Sequence, residues 1–117
     1  MTSNEPFSFE RRTGEKPGVE IFQLSGPLTL STLFALQDAF RSSPPPATTI
    51  VDFIGVPYID SAGMGIVINQ FVHCQRCGCK LIVAGVNGRV KELFTLTKVA
   101  TVIPMAASLE EAEAQVK

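Results

Sequence analysis

The sequence predicts an α/β fold: a single domain built on a mixed, mostly parallel sheet of about five strands packed with about four helices and opened by an N-terminal β-hairpin. Three observations predict it. Two apolar runs, Thr49-Ile50-Val51-Asp52-Phe53-Ile54 and Leu81-Ile82-Val83-Ala84-Gly85-Val86, lack strict alternation, as strands covered on both faces do. Segments between and around them carry apolar residues at helical spacing. At 117 residues and 45% hydrophobic, the chain has material for one core and is short for two domains.

Each element can be justified in turn. Phe7 and Phe9 alternate with Ser8 and Glu10, the stretch TGEKPG turns the chain, and Val19-Glu20-Ile21-Phe22-Gln23-Leu24 returns as the second hairpin strand. Gly26-Pro27 closes it. From about Ser31, Leu33, Leu36 and Phe40 form an apolar helical stripe, which Pro44-Pro45-Pro46 should end. After the strand Thr49–Ile54, Asp60-Ser61 opens a second helix that buries Met64, Ile68, Phe71 and Val72 and stops at Gly78, a residue suited to a left-handed C-terminal position. Past the strand Leu81–Val86, Asn87-Gly88 leads into a helix with Val90, Leu93 and Phe94. A short strand is expected at Thr101-Val102-Ile103. Ser108 with Glu111 three residues later reads as the capping box of a last helix. The order is β-β-α-β-α-β-α-β-α over residues 1–117, with residues 1–5 expected as a flexible tail. Sites in such sheets lie beyond the carboxyl ends of the strands, where Gly55-Val56-Pro57-Tyr58-Ile59-Asp60 falls.

Composition narrows the function. Ten Lys+Arg against eleven Asp+Glu leave a formal net charge of −1, without the basic excess of a general nucleic-acid binder. No apolar run approaches the roughly 18 residues of a membrane helix. The opening MTSNEPFSFERR lacks a signal peptide's basic start and apolar stretch, so a cytoplasmic protein is expected. Three closely spaced cysteines indicate no disulfide framework.

Catalytic constellations are sparse. His73 falls mid-helix without a nucleophile or carboxylate at matching spacing. There is no phosphate-binding GxxxxGK[ST] loop, Gly63-Met64-Gly65 is not a dinucleotide fingerprint, and Ser61 lies in no G-x-S-x-G elbow. His73, Cys74, Cys77 and Cys79 carry zinc-ligand chemistry, but Cys79 lies beyond Gly78 and would need the loop to fold back; packing of small apolar cysteines at a helix end is the simpler reading. No enzyme activity, cofactor or metal is expected.

Asp60-Ser61-Ala62-Gly63 is the strongest local signal. Ser61 or Asp60 caps the helix. Ser61 also stands on a strand-to-helix corner, where a phosphate would meet free N–H groups and the positive end of the helix dipole. Val56, Tyr58, Ile59 and Met64 would then form an apolar rim for a partner to cover.

Residues 51–65, VDFIGVPYIDSAGMG, resemble the signature of STAS domains of the anti-sigma factor antagonist type: an apolar strand with an acidic residue, a loop, then Asp-Ser-Ser/Thr-Gly-Leu/Met-Gly. Gly26-Pro27-Leu28-Thr29 falls at the family's Gly-x-Leu/Ile-Asp turn, Gly78-Cys79-Lys80-Leu81 at its Gly-x-x-Leu approach to the next strand, and Val90-Lys91-Glu92-Leu93-Phe94 in the helix that follows. Two positions depart from the pattern: Ala62 replaces a second hydroxyl residue, and Thr29 replaces a frequent aspartate. The resemblance implies that Ser61 is the phosphoacceptor of a partner anti-sigma factor that is also a serine kinase. It implies further that the unphosphorylated protein binds that factor and frees a sigma factor, and that a phosphatase resets the switch. Thr29, Val56, Tyr58, Ile59, Asp60, Ala62, Gly63, Met64 and Gly65 would form the partner surface. The alternative within the same fold is a subunit of a lipid-transport or stress-signalling assembly that binds without phosphorylation.

Overall fold

The computed structural model describes residues 7–42 and 44–116, so the tail expected at residues 1–5 lies outside the described residues. Five strands form one sheet in the order β1-β2-β3-β4-β5: β1 (Ser8–Thr13), β2 (Val19–Ser25), β3 (Thr48–Gly55), β4 (Lys80–Ala84) and β5 (Met105–Ala106). β1 pairs antiparallel with β2, and every later pairing is parallel. The helices are α1 (Phe34–Arg41), α2 (Ser61–Arg76), α3 (Gly88–Thr95) and α4 (Leu109–Gln115).

Register explains why the central strands read as continuous apolar runs. Phe22, Val51 and Val83 align across β2, β3 and β4, and so do Ile21, Ile50 and Ile82. Successive side chains point to opposite faces. The first row packs with Leu36 and Phe40 of α1, Val67 and Phe71 of α2, and Val90 and Phe94 of α3 in the larger core. The second row packs with Ala112 of α4 in a smaller one. Both faces are therefore covered, the arrangement parallel sheets require.

The structure moves several boundaries. α1 begins at Phe34, not near Ser31, because the Thr32 hydroxyl accepts from Thr29 N at 2.9 Å and donates to Pro27 O at 2.8 Å, holding residues 29–33 in a turn. On α2 the fully buried positions include Met64, Ile66, Val67, Phe71 and Cys74, while Ile68 and Val72 are half-buried. Cys77 is its C-cap and Gly78 takes the left-handed conformation, φ 75°. The strand expected at Thr101–Ile103 is displaced. Val99–Val102 is a 3-10 turn, and pairing with β4 starts only at Pro104, whose carbonyl accepts from Val83 N at 2.9 Å. The β-branched run suggested a strand, but Ile103 is buried by the turn and Val102 faces solvent. At α4 the Ser108 hydroxyl accepts from Glu111 N at 3.2 Å.

Candidate functional site: the corner between β3 and α2

β3 runs past its partner. Its pairing with β4 ends at Asp52 opposite Ala84, and residues 53–60 continue over the carboxyl edge of the sheet. Asp52 is buried, and its carboxylate accepts from Ile54 N at 3.1 Å and from the Gln23 amide at 3.4 Å. Gly85 closes against the same turn: φ is +71°, and a Cβ there would stand 2.9 Å from Asp52 Oδ1. Asn87 fixes the loop from the other side. Its Oδ1 caps α3 at Val90 N, 2.8 Å, and its Nδ2 donates to Val56 O at 3.3 Å and Pro57 O at 3.1 Å.

Asp60 organises the far end of the loop. Its Oδ1 accepts from Gly63 N at 2.8 Å and caps α2, while Oδ2 accepts from Leu30 N at 3.0 Å and ties in the turn before α1. A parallel bridge between Leu28 and Ile59 joins the same two segments, with Leu28 N donating to Tyr58 O at 3.2 Å and Asp60 N to Leu28 O at 3.3 Å. Burial pushes the Asp60 carboxyl up, but donors from Gly63, Leu30, Ala62 and its own amide outweigh it and hold it below its ordinary 3.8. Gly63 is a packing requirement, since a Cβ there would meet Leu28 O at 2.2 Å.

Ser61 is the first helical residue of α2 and is exposed. Asp60, not Ser61, is the cap. Of the N–H groups at the start of α2, the Asp60 carboxylate takes that of Gly63, so a phosphate would meet fewer free donors than the sequence suggests. A phosphate on Ser61 would stand next to that carboxylate, at the positive end of a 16-residue helix.

The apolar rim also differs from the expectation. Val56, Ile59 and Met64 are core residues, at most 8% exposed, because the loop folds inward over Phe53 and α2. Of the four expected rim residues only Tyr58 reaches the surface, 37% exposed, with the Arg89 guanidinium 5.2 Å from its ring centroid. Thr29, Ala62 and Gly65 are half-buried and Gly63 is buried. The exposed apolar side chains on the segments that meet here are instead Leu30 at 62%, Phe34 at 58% and Ile54 at 70%. Phe34 was legible in principle, since it falls off the Leu33–Leu36–Phe40 stripe. Leu30, Arg89 and the bonding role of Asn87 depended on long-range contacts.

Residues 11–112 match the STAS domain family. The chain belongs to that family. This STAS domain shares its fold with an anti-sigma factor antagonist from Mycobacterium paratuberculosis: TM-score 0.84, 18% identity, 99% of this chain and 98% of that one covered. The Bacillus cell fate determinant SpoIIAA in its phosphorylated form gives a TM-score of 0.74 at 18% identity, over 94% of this chain and 100% of that one. The STAS domain of a SulP transporter from Vibrio cholerae gives 0.69 at 20% identity, over 89% and 91%. No curated protein matches the chain by sequence.

The cysteine cluster lies at the other end of α2. Cys74 is buried, Cys79 half-buried and Cys77 exposed, with Cys77 Sγ 4.0 Å from His73 Nε2. Cys79 Sγ turns toward the carbonyls of Pro45 and Cys77. Among the described residues no group of three or more His, Cys, Asp or Glu is arranged to hold a metal ion. Nor is any described helix long and apolar enough to cross a membrane.

Proposed function

We propose that this STAS domain is an anti-sigma factor antagonist, switched by phosphorylation of Ser61. In the unphosphorylated state it binds an anti-sigma factor that is also a serine kinase, and so frees a sigma factor in a bacterial cytoplasm. The kinase phosphorylates Ser61 and breaks the complex, and a phosphatase restores it. The protein acts by binding, not by catalysis. The observation that carries this reading is an exposed serine hydroxyl at the first position of α2, on a corner pinned by Asp60 to two separate backbone segments. A rigid corner presents the hydroxyl to a kinase active site in one geometry, and exposed Leu30, Phe34 and Tyr58 supply apolar area for a partner. Thr29, Asp60, Ala62 and Gly65 belong to the contact surface in this reading, while Val56, Ile59, Gly63 and Met64 support it from below. The fold shared with the Mycobacterium paratuberculosis anti-sigma factor antagonist and with phosphorylated SpoIIAA of Bacillus is consistent with it.

Phosphate at Ser61 opposes binding in two ways. It adds about −1.5 to −2 charge at neutral pH beside the Asp60 carboxylate, and that charge would have to be desolvated under an apolar partner surface. Incubation with radiolabelled ATP and the anti-sigma kinases of the native cell tests the acceptor. Wild type should incorporate about one phosphate, lost in Ser61→Ala. Incorporation in Ser61→Ala would remove Ser61 from the switch.

The likeness to a SulP transporter STAS domain favours one rival: a module of a transport or stress-signalling assembly that needs no phosphate. It would hold its partner equally well with Ser61 free or phosphorylated.

A further inference from the structure

A groove of about 320 Å³ separates α1 from α2, well along both helices from Ser61. Its floor is Phe40 and Ile66, both buried, and Phe40 is held edge-on against Phe22 at 5.0 Å between centroids. Its walls are polar: Gln37 and Arg41 from α1, and Asn69, Gln70 and His73 from α2. No carboxylate lines it among the described residues, and the one ion pair found among them, Arg11 with Glu20, lies outside the groove and does not involve the Arg41 guanidinium. Gln70 is unusual for a helical glutamine in being only 8% exposed.

Gln70 and Phe40 also line a second cavity of about 10 Å³ on the sheet side, where Thr49 sits. The Thr49 hydroxyl is buried, with no hydrogen-bond partner among the described residues. An unpaired buried hydroxyl is unfavourable, and about 10 Å³ is the room one water needs. The groove and this cavity thus share Phe40 and Gln70, and the cavity, lined also by the Arg11–Glu20 pair, holds a polar group that lacks a partner.

We infer that this groove is a binding site for a small aryl or heteroaryl anion, a flat apolar ring carrying a carboxylate or phosphate. The ring lies over Phe40 and Ile66. The anionic group meets Arg41, with His73 and Asn69 as further donors. A polar substituent or a bridging water reaches Gln70 and, behind it, Thr49. The volume is at the low end of the roughly 300–1,000 Å³ of ligand pockets, which selects a one-ring ligand over a larger one. The site is independent of whether Ser61 is phosphorylated.

Titration of the full ¹⁵N-labelled chain with phenyl phosphate and, separately, benzoate, followed by amide NMR, tests this. At least one should cause saturable shifts concentrated at Gln37, Arg41, Asn69, Gln70 and His73, and the stronger of the two assigns the anion. Arg41→Gln, at an exposed position, and Gln70→Met, which keeps the buried volume, should each weaken that binding at least fivefold with the spectrum otherwise folded. Phenol and inorganic phosphate should bind at least tenfold more weakly. Absence of saturable shifts, affinity unchanged in both variants, or inorganic phosphate binding as well as the aryl anion would each overturn the proposal.

Discussion

One carboxylate at the residue scale carries three duties. Asp60 caps α2, ties it to the turn before α1, and takes the Gly63 donor that a phosphate could otherwise use. Asp60→Ala should cost about 1–2 kcal/mol, the range of a lost N-cap with one further backbone bond left unpaired, and should slow phosphorylation of Ser61 more than Asp60→Asn does, since asparagine also caps. The pH dependence has a definite sign. Because the folded carboxyl titrates below its ordinary 3.8, the unfolded chain takes up the proton first. The contribution of Asp60 is thus complete above about pH 5 and fades as pH falls through the folded value. Denaturant melts of wild type and Asp60→Ala should differ by a constant amount from pH 5 to 8 and converge below pH 4; a gap that widens in acid would contradict this assignment.

Among the elements, α2 is held at both ends by different chemistry. Near its start, Gly63 lets the helix backbone lie against Leu28, and Gly63→Ala would drive a Cβ into a carbonyl oxygen 2.2 Å away. The atom met is main chain, not the end of a flexible side chain, so a loss of about 3 kcal/mol or more is expected in thermal or urea melts, whereas Gly65→Ala, with open space around its Cβ, should be neutral or slightly stabilising. Wild-type stability in Gly63→Ala would mean that α2 does not pack this closely. Near its end, Cys74 is a core residue. Burial, aided by the neighbouring Cys79 and Cys77 thiols, pushes its thiol from 9.0 up to about 11. The folded state favours the neutral thiol, so its contribution holds below about pH 9 and is lost as pH rises toward 11. Iodoacetamide at pH 8 should label Cys77 readily and Cys74 only on unfolding, as peptide mapping would reveal. Equal labelling rates in the folded protein would place Cys74 at the surface.

For the whole molecule, the strand and helix order, the two-faced sheet and the Asp60–Ser61 corner were legible because they rest on local signals. These are apolar runs, Asn and Ser before helices, and a glycine after α2. What was not legible depended on tertiary contacts. Thr101–Ile103 has strand-forming residues, but β4 takes Met105–Ala106 as its neighbour instead. Val56, Ile59 and Met64 look like surface residues beside a serine, and the loop turns them into the core. Leu30 comes to the corner through the bridge of Leu28 to Ile59, 31 residues away in sequence, and through its own N–H bond to Asp60. The exposed apolar surface, and not the buried loop, is therefore where a partner gains most from contact.

The switch account is tested most directly by calorimetry of the anti-sigma partner with unphosphorylated protein, with protein carrying phosphoserine at position 61, and with Ser61→Ala, each checked by a thermal melt. The unphosphorylated protein and Ser61→Ala should bind alike. The phosphorylated protein should bind about 10²–10³-fold more weakly, a loss of about 3–4 kcal/mol, while melting within a few degrees of the unmodified chain. Equal affinity of all three forms would reduce Ser61 to an ordinary helix residue and contradict the account.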